Sequence, residues 1–294
     1  MCLMDSSTLN GFTIDVEDYF QVGAFASEIR PSSWDQYSSR VVPNTERILD
    51  LLERRQTRAT FFILGWVADR NPELVKRILR SGHEIGSHSY WHQLIYDQTP
   101  EEFRKDLRQS CDSLEQLTGE KVRLYRAPSF SIVQQSLWAL DILAEEGIEL
   151  DSSIFPIHHD RYGIPGAKIH PYRHRVGTRE MWEVPPTVAR WLGLNVPVGG
   201  GGYLRLYPRA ITESLLSSVN RDGRAFQIYI HPWEVDPEQP RMHGSLKSRF
   251  RHYVNLTTTL GKLDSLLARF RFGTLSDVVA CEHLRAGPSE SLAS

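Results

Sequence analysis

The sequence predicts an α/β fold around a mostly parallel sheet, open or closed into a barrel. Three observations carry that prediction. Short apolar runs alternate with segments whose apolar residues recur at helical spacing. One run, Ala59 to Leu64, is apolar on both faces, as in a strand covered on both sides. Helix start signals fall between consecutive runs: Asn71-Pro72-Glu73 places Pro at the first helical position, and Thr99-Pro100-Glu101-Glu102 repeats the pattern. With 294 residues, 40% of them hydrophobic, the chain can bury a sizeable core.

The elements follow in order. Gly11 to Val16 is the first strand. Asn44 to Arg54 is a helix with Ile48, Leu51 and Leu52 on one face, and Ala59 to Leu64 is the next strand. The helix opened by Pro72 aligns Leu74, Val75, Ile78 and Leu79, and Gly82 closes it. His83 to Ser87 is a short strand. A helix runs from Thr99 to about Leu117, and Ser136 to Glu146 is also helical. Leu124 to Ala127, Leu150 to Ile154, Trp182 to Val184 and Phe226 to Ile230 are further strands. Two stretches break the alternation. The polar Phe155 to Gly177 insertion is long for an ordinary loop, and such loops are often functional. The other is the glycine run in Pro197 to Gly202. No domain boundary or repeat is visible. The expectation is one domain over 11–283, an N-terminal tail over 1–10 and a disordered tail over 284–294.

Composition excludes several classes. The formal net charge is −2 and no basic stripe with interleaved aromatics occurs, which argues against nucleic-acid binding. Cys2, Cys111 and Cys281 form neither a CxxC pair nor a disulfide framework and fit a reducing compartment. Met1 to Gly11 lacks the basic and apolar regions of a signal peptide. No apolar run approaches the roughly 18 residues of a membrane span. A cytoplasmic location, at or near the inner membrane face, is expected.

The residues that suggest chemistry cluster at strand ends. Asp15, Glu17 and Asp18 end the first strand, with Asp15 and Glu17 projecting to one side of an extended chain. Acids so close repel, so a cation or an arginine is expected among them. His88 and His92, four apart, can turn both imidazoles to one side, and imidazole is a common metal ligand. His83 belongs to a different face and reads as structural. Arg126, before Ala127-Pro128, can clamp a carboxylate. His231 ends another apolar strand, where catalytic residues of parallel sheets gather. Asp151 is a weaker member of the set. Each residue alone is equally well an ordinary polar side chain; their shared placement at successive strand ends is the signal.

The order acid, His-Ser-x-x-His, Arg-x-Pro, late strand-end His resembles the polysaccharide deacetylase family (carbohydrate esterase family 4, the nodulation-factor deacetylase homology domain). It spans about residues 11 to 235. Asp15-Val16-Glu17-Asp18-Tyr19-Phe20, Tyr125 to Phe130, Asp151-Ser152-Ser153, His231-Pro232-Trp233-Glu234 and Phe270 to Thr274 are similar to its exosortase-associated exopolysaccharide branch. The resemblance implies a distorted (β/α) barrel of about seven strands. It implies a divalent metal, zinc first, with cobalt or nickel as alternatives, on His88, His92 and one acid. That acid is Glu17 by alternation or Asp18 by residue type. Asp15 takes the base role, Arg126 orients it, and His231 is the acid, with Asp151 as its candidate carboxylate partner. The implied substrate is an N-acetylated oligo- or polysaccharide, with contact to the membrane or a lipid-linked substrate, and a homo-oligomer is allowed. The insertion residues His158, His159, Arg161, Tyr162, His170, Tyr172, Arg173 and His174 are expected to cover or line the sugar groove. Trp34, Trp66, Trp91 and Trp233 are candidates for sugar stacking. Two other readings are an allantoinase-like hydrolase of a cyclic amide or ureide and a carbohydrate-binding protein without turnover.

Overall fold

The computed structural model describes residues 8–26, 28–159, 161–177 and 179–286. Seven parallel strands make the body: β1 (Leu9–Val16), β2 (Thr60–Ile63), β3 (Glu84–Ser87), β4 (Leu124–Tyr125), β5 (Leu150–Asp151), β7 (Arg179–Glu183) and β10 (Gln227–Ile230). They are ordered β10-β1-β2-β3-β4-β5-β7. β6 (Tyr172–Val176) adds an antiparallel edge on β7, and β11 (Arg271–Gly273) pairs with β1. A separate hairpin, β8 (Val188–Trp191) and β9 (Leu194–Pro197), follows β7. The sheet curls into a barrel whose last joint, β7 to β10, is closed by side chains. The Thr187 hydroxyl donates to the Gln227 carbonyl and accepts from its N–H, both at 2.7 Å. Gln227 Nε2 donates to the Val184 carbonyl at 2.6 Å, and the Tyr229 N–H donates to Gly199 at 2.8 Å.

The pleat sorts β1 into two faces. Phe12, Ile14 and Val16, all 0% exposed, join the main core under the outer helices. Thr13 and Asp15 point the other way, both to Arg126. A second buried cluster of Phe62, Leu124, Leu150, Val184 and Leu275 lies beneath that arginine, whose guanidinium sits 4.3 Å over the Phe62 ring.

Helices α1 (Val41–Arg54), α2 (Gly65–Arg70), α3 (Pro72–Arg80), α4 (Pro100–Thr118) and α5 (Trp138–Glu145) link the first strands. α4 begins with a capping box, Thr99 and Glu102 each accepting the other's backbone N–H, and ends at Gly119 with φ 73°. α1 starts three residues before the expected Asn44 because its cap is tertiary: Asp18 accepts the N–H of Arg40 at 2.8 Å and of Val41 at 3.1 Å. α6 (Gly201–Leu206), α7 (Arg209–Arg221), α8 (Leu246–Tyr253), α9 (Thr259–Arg269) and α10 (Leu275–Ala286) complete the fold. Among the described residues no helix is long and apolar enough to cross a membrane.

Some expected boundaries move. Leu9 and Asn10 belong to β1 rather than to a tail, because Asn10 is buried and its amide bonds Asn220 and the Arg271 carbonyl. Residues 284–286 end α10; the rest of the expected C-terminal tail, and residues 1–7, lie outside the described residues. The insertion is a true loop only to residue 171, after which β6 pairs with β7.

Candidate active site

All seven strands end on one side of the barrel, and the candidate residues stand there. Asp15 and Glu17 come from β1, His88 follows β3, Arg126 follows β4 and His231 follows β10. The His88 to His92 turn is not helical. Ser89 (φ 67°) and His92 (φ 52°) take the left-handed conformation, which folds both imidazoles inward. Two anchors hold this strained loop. The buried Asp106 carboxylate on α4 accepts the N–H of Tyr90 at 2.9 Å and of Trp91 at 3.0 Å. Gly65, at the start of α2, donates to the Ser89 carbonyl, and a Cβ there would meet the Tyr90 ring at 2.4 Å.

Ligand atoms of Glu17, His88 and His92 all lie within 4.8 Å of one another. His88 Nδ1 lies 2.8 Å from the Arg126 carbonyl. A carbonyl only accepts, so Nδ1 carries the proton and Nε2 is left as a lone-pair donor toward the cluster. Burial pushes the His88 imidazole down to about 4 and so keeps it neutral. Burial opposes ionisation of Glu17, but the facing His92 and His231 outweigh it and hold the carboxyl at about 2. Glu17 Oε2 lies 2.8 Å from His92 Nε2 yet is buried without an aligned hydrogen-bond donor. Two imidazole nitrogens and one orphaned carboxylate oxygen, converging and mostly buried, fit a divalent transition metal with open coordination positions. Asp18 does not join them. Its carboxylate is spent on the N–H groups of Tyr19, Arg40 and Val41 and the Ser39 hydroxyl, and it caps α1.

Arg126 is 0% exposed and every guanidinium N–H is used. It donates to Asp15 Oδ1 and the Thr13 hydroxyl, each at 2.7 Å, to Gln227 Oε1 at 2.7 Å, and to the Ser152 hydroxyl and carbonyl. Asp15 is thereby turned so that Oδ2 lies 3.9 Å from His231 Nε2, which is also 3.6 Å from Glu17 Oε1. Burial opposes protonation of His231, but Glu17, Glu234 and Asp15 together push it up to about 9. Asp151 is not its partner. Asp151 pairs with Glu183 and accepts from the Ser153 hydroxyl at 2.5 Å. Burial and the adjacent Asp151 raise Glu183 strongly, so the pair shares a proton. The carboxylate beside His231 is Glu234, at 3.2 Å from Nδ1, three residues along the chain. Glu234, Thr13, Gln227 and Arg205 were not singled out in the sequence; an acid three residues after a strand-end histidine was the one readable signal.

A cavity of about 160 Å³ opens over this cluster, lined by Asp15, Glu17, His92, Ser129, Tyr229 and His231. Among the described residues of the insertion, Arg161 and Tyr162 alone line it, and Arg161 donates across it to the Gly23 carbonyl at 3.1 Å. Tyr172, Arg173 and His174 lie on β6, with Arg173 paired to Glu180, and do not line it. Trp34, Trp66 and Trp233 are core residues, 3–4% exposed, and Trp34 also lines, with Trp91, His92 and Leu94, an adjoining cavity of about 320 Å³. His83 accepts the Ala59 N–H at 3.2 Å and is structural, as its position suggested.

Comparisons place this arrangement among known proteins. The polysaccharide deacetylase family model matches residues 33–147, and a domain of unknown function matches residues 152–280. The chain is 31% identical over 120 residues to a peptidoglycan-N-acetylglucosamine deacetylase of Bacillus cereus, covering 37% of this chain and 44% of that one. It is 36% identical over 101 residues to the Listeria monocytogenes peptidoglycan-N-acetylglucosamine deacetylase PgdA, covering 34% and 21%. The chain thus spans less than half the length of these relatives. A Mycobacterium smegmatis structure assigned to the polysaccharide deacetylases superposes with a TM-score of 0.63 at 21% identity, covering 97% of this chain and 93% of that one. The Puue allantoinase superposes with a TM-score of 0.62 at 14% identity, covering 95% and 91%. At such identities the two structures speak for the barrel fold. The family model falls on the half that bears the two histidines, and over residues 33–147 the chain is similar to the polysaccharide deacetylases.

Proposed function

We propose that this protein is a metal-dependent hydrolase that removes N-acetyl groups from N-acetylhexosamine units of a bacterial exopolysaccharide or its lipid-linked precursor. The observation that carries the reading is the pairing of Asp15 Oδ2 and His231 Nε2, 3.9 Å apart, beside the Glu17, His88 and His92 triad in one cavity. A divalent metal bound by that triad would polarise the amide carbonyl and acidify a water. Asp15, kept oriented by Arg126, takes the proton of the attacking water. The backbone at Ser129, just past Pro128 on the cavity wall, offers a donor for the developing oxyanion. His231 delivers a proton from Nε2 to the departing amine. The products are acetate and a glucosamine-type amine.

Arg161 and Tyr162 support a sugar or an anionic neighbour at the cavity mouth, a polar cation beside an aromatic face. The small cavity supports a second reading, hydrolysis of a compact cyclic amide or ureide. The test is acetate release from short N-acetylglucosamine oligomers by the metal-free protein and after adding zinc, cobalt or nickel, beside His88→Ala. Metal-dependent acetate that disappears in the variant is expected. Turnover of a ureide but not of N-acetyl sugars would move the assignment to the second reading. Metal or sugar binding without turnover of either would leave a binding protein.

A further inference from the structure

The segment matching the domain of unknown function contains His231 but also the whole structure around it. Glu234 lies on the turn after His231, completely buried, with its two oxygens facing opposite ways. Oε2 accepts the His231 backbone N–H at 3.0 Å and faces ring Nδ1 at 3.2 Å. Oε1 accepts from Arg205 Nε at 2.8 Å. Arg205 is 2% exposed, and three of its other N–H groups go to carbonyls at the end of α8: His252 at 2.8 Å, Val254 at 3.0 Å and Arg251 at 3.0 Å. The guanidinium is thus matched by a helix C-terminus and one carboxylate, and Glu234 cannot turn away.

The glycine run acquires a reason here. A Cβ at Gly201 would lie 1.8 Å from Glu234 Oε2, and one at Gly200 would lie 2.3 Å from the Tyr229 hydroxyl. Only glycine lets α6 lie on this carboxylate. Trp233 stacks on the His231 ring at 5.2 Å and donates from Nε1 to Glu17 Oε1 at 3.1 Å, which ties the assembly to the metal-type triad.

We infer that Arg205 and Glu234 are a positioning dyad for His231, and that the segment of unknown function supplies the acid half of the active site. A carboxylate only accepts, so Glu234 fixes the proton on Nδ1 and aims Nε2 at the cavity. When the C–N bond breaks, its electron pair and the Nε2 proton go to the amine nitrogen, and the carbonyl carbon keeps the oxygen of water as acetate. This inference rests on the proposed deacetylation for its reaction and on geometry alone for the dyad.

The test uses Glu234→Gln in the metal-loaded full chain, with two acetyl donors. A glutamine offers one acceptor where two opposed donors need one each, so either Arg205 or His231 loses its partner. An N-acetylglucosamine oligomer needs a protonated leaving group, whereas 4-nitrophenyl acetate leaves as a phenolate without one. The expected result is a kcat for the oligomer lower by about 10²–10³-fold, within the roughly 10²–10⁴-fold that a general acid contributes, with little change in KM and ester turnover nearly unchanged. Glu234→Gln added to His231→Gln should cost nothing further. A second readout needs no substrate: the Nδ1 ¹⁵N and N–H proton shifts of His231 report its hydrogen bond to Glu234 and should move in Glu234→Gln. Equal losses on both acetyl donors, or unmoved ring shifts, would overturn the dyad. Should Glu234→Gln fail to fold, Gly201→Ala, which displaces the carboxylate without removing it, must show the same split between amide and ester. A wild-type protein that releases no acetate from any N-acetyl sugar would instead sink the deacetylase reading, and the ring shifts would still decide the dyad.

Discussion

Replacing Arg126 with methionine should be among the most damaging single changes in the barrel. The methionine keeps an unbranched stem against Phe62 but removes five N–H donors from a fully buried site. Asp15 then holds a carboxylate with its guanidinium gone, and removing one partner of a buried ion pair costs about 3–5 kcal/mol. Gln227 Oε1 and the Ser152 carbonyl also lose a donor, at roughly 1–3 kcal/mol each if nothing replaces it. The terms overlap because the groups share one network, so a total of about 4–7 kcal/mol is expected. Urea unfolding followed by tryptophan fluorescence measures it, and the apparent Tm should fall by roughly 6–12 °C. The mechanism makes a second, sharper claim about sign. Asp15→Asn should destabilise the wild type but restore part of the loss in the Arg126→Met background, because it removes the stranded charge. A loss below about 1 kcal/mol, or an Asp15→Asn change that adds to the damage, would refute the reasoning.

Two further predictions concern pH. Glu183 is raised above its ordinary 4.5 by burial and by Asp151, so folding takes up a proton there. Its contribution is full below 4.5 and declines as pH rises toward the folded value; Glu183→Gln, a permanent mimic of the protonated acid, should flatten the fall in Tm between pH 5 and 8. His252 runs the other way. Burial holds it at about 3 against an ordinary 6.5, so the unfolded chain takes up the proton first and stability drops as pH falls below 6.5. The loss approaches about 2 kcal/mol by pH 5, and His252→Gln should lose less Tm over that interval than the wild type does.

The barrel was legible in the sequence because its first half follows local rules. β2 is an unbroken apolar run, and α3 and α4 carry proline and capping-box starts, so pattern and structure agree there. The second half is built from tertiary decisions. β4 and β5 are two residues long, and their placement depends on neighbours rather than on their own periodicity. The β8–β9 hairpin is hard to read because Leu192 takes one of its two left-handed turn positions (φ 48°), leaving Gly193 (φ 79°) as a single glycine rather than an Asn-Gly or Gly-Gly pair. Asp18 is a metal-ligand candidate by residue type alone; its real partners, the N–H groups of Arg40 and Val41, are about 20 residues away and carry no sequence mark. Asp151, the expected partner of His231, sits on a different strand, and the acid beside His231 is Glu234, inside the same motif. Arg205, between two leucines, gives no hint of burial until α8 folds over it.

The closing joint of the barrel bears on how the molecule yields under load. Six joints are zippered by backbone peptides, whereas the seventh hangs on the side chains of Thr187 and Gln227 and the strand-like stretch at Gly199. A ring under tension parts at its weakest link. Gln227 is also a tether of Arg126, so parting there slackens the grip on Asp15 while the Glu17, His88 and His92 cluster, held by β1, β3 and α4, stays assembled. On the proposed mechanism, a partly opened molecule would keep its grasp on an ion and lose its base, a graded failure in which capture outlives turnover.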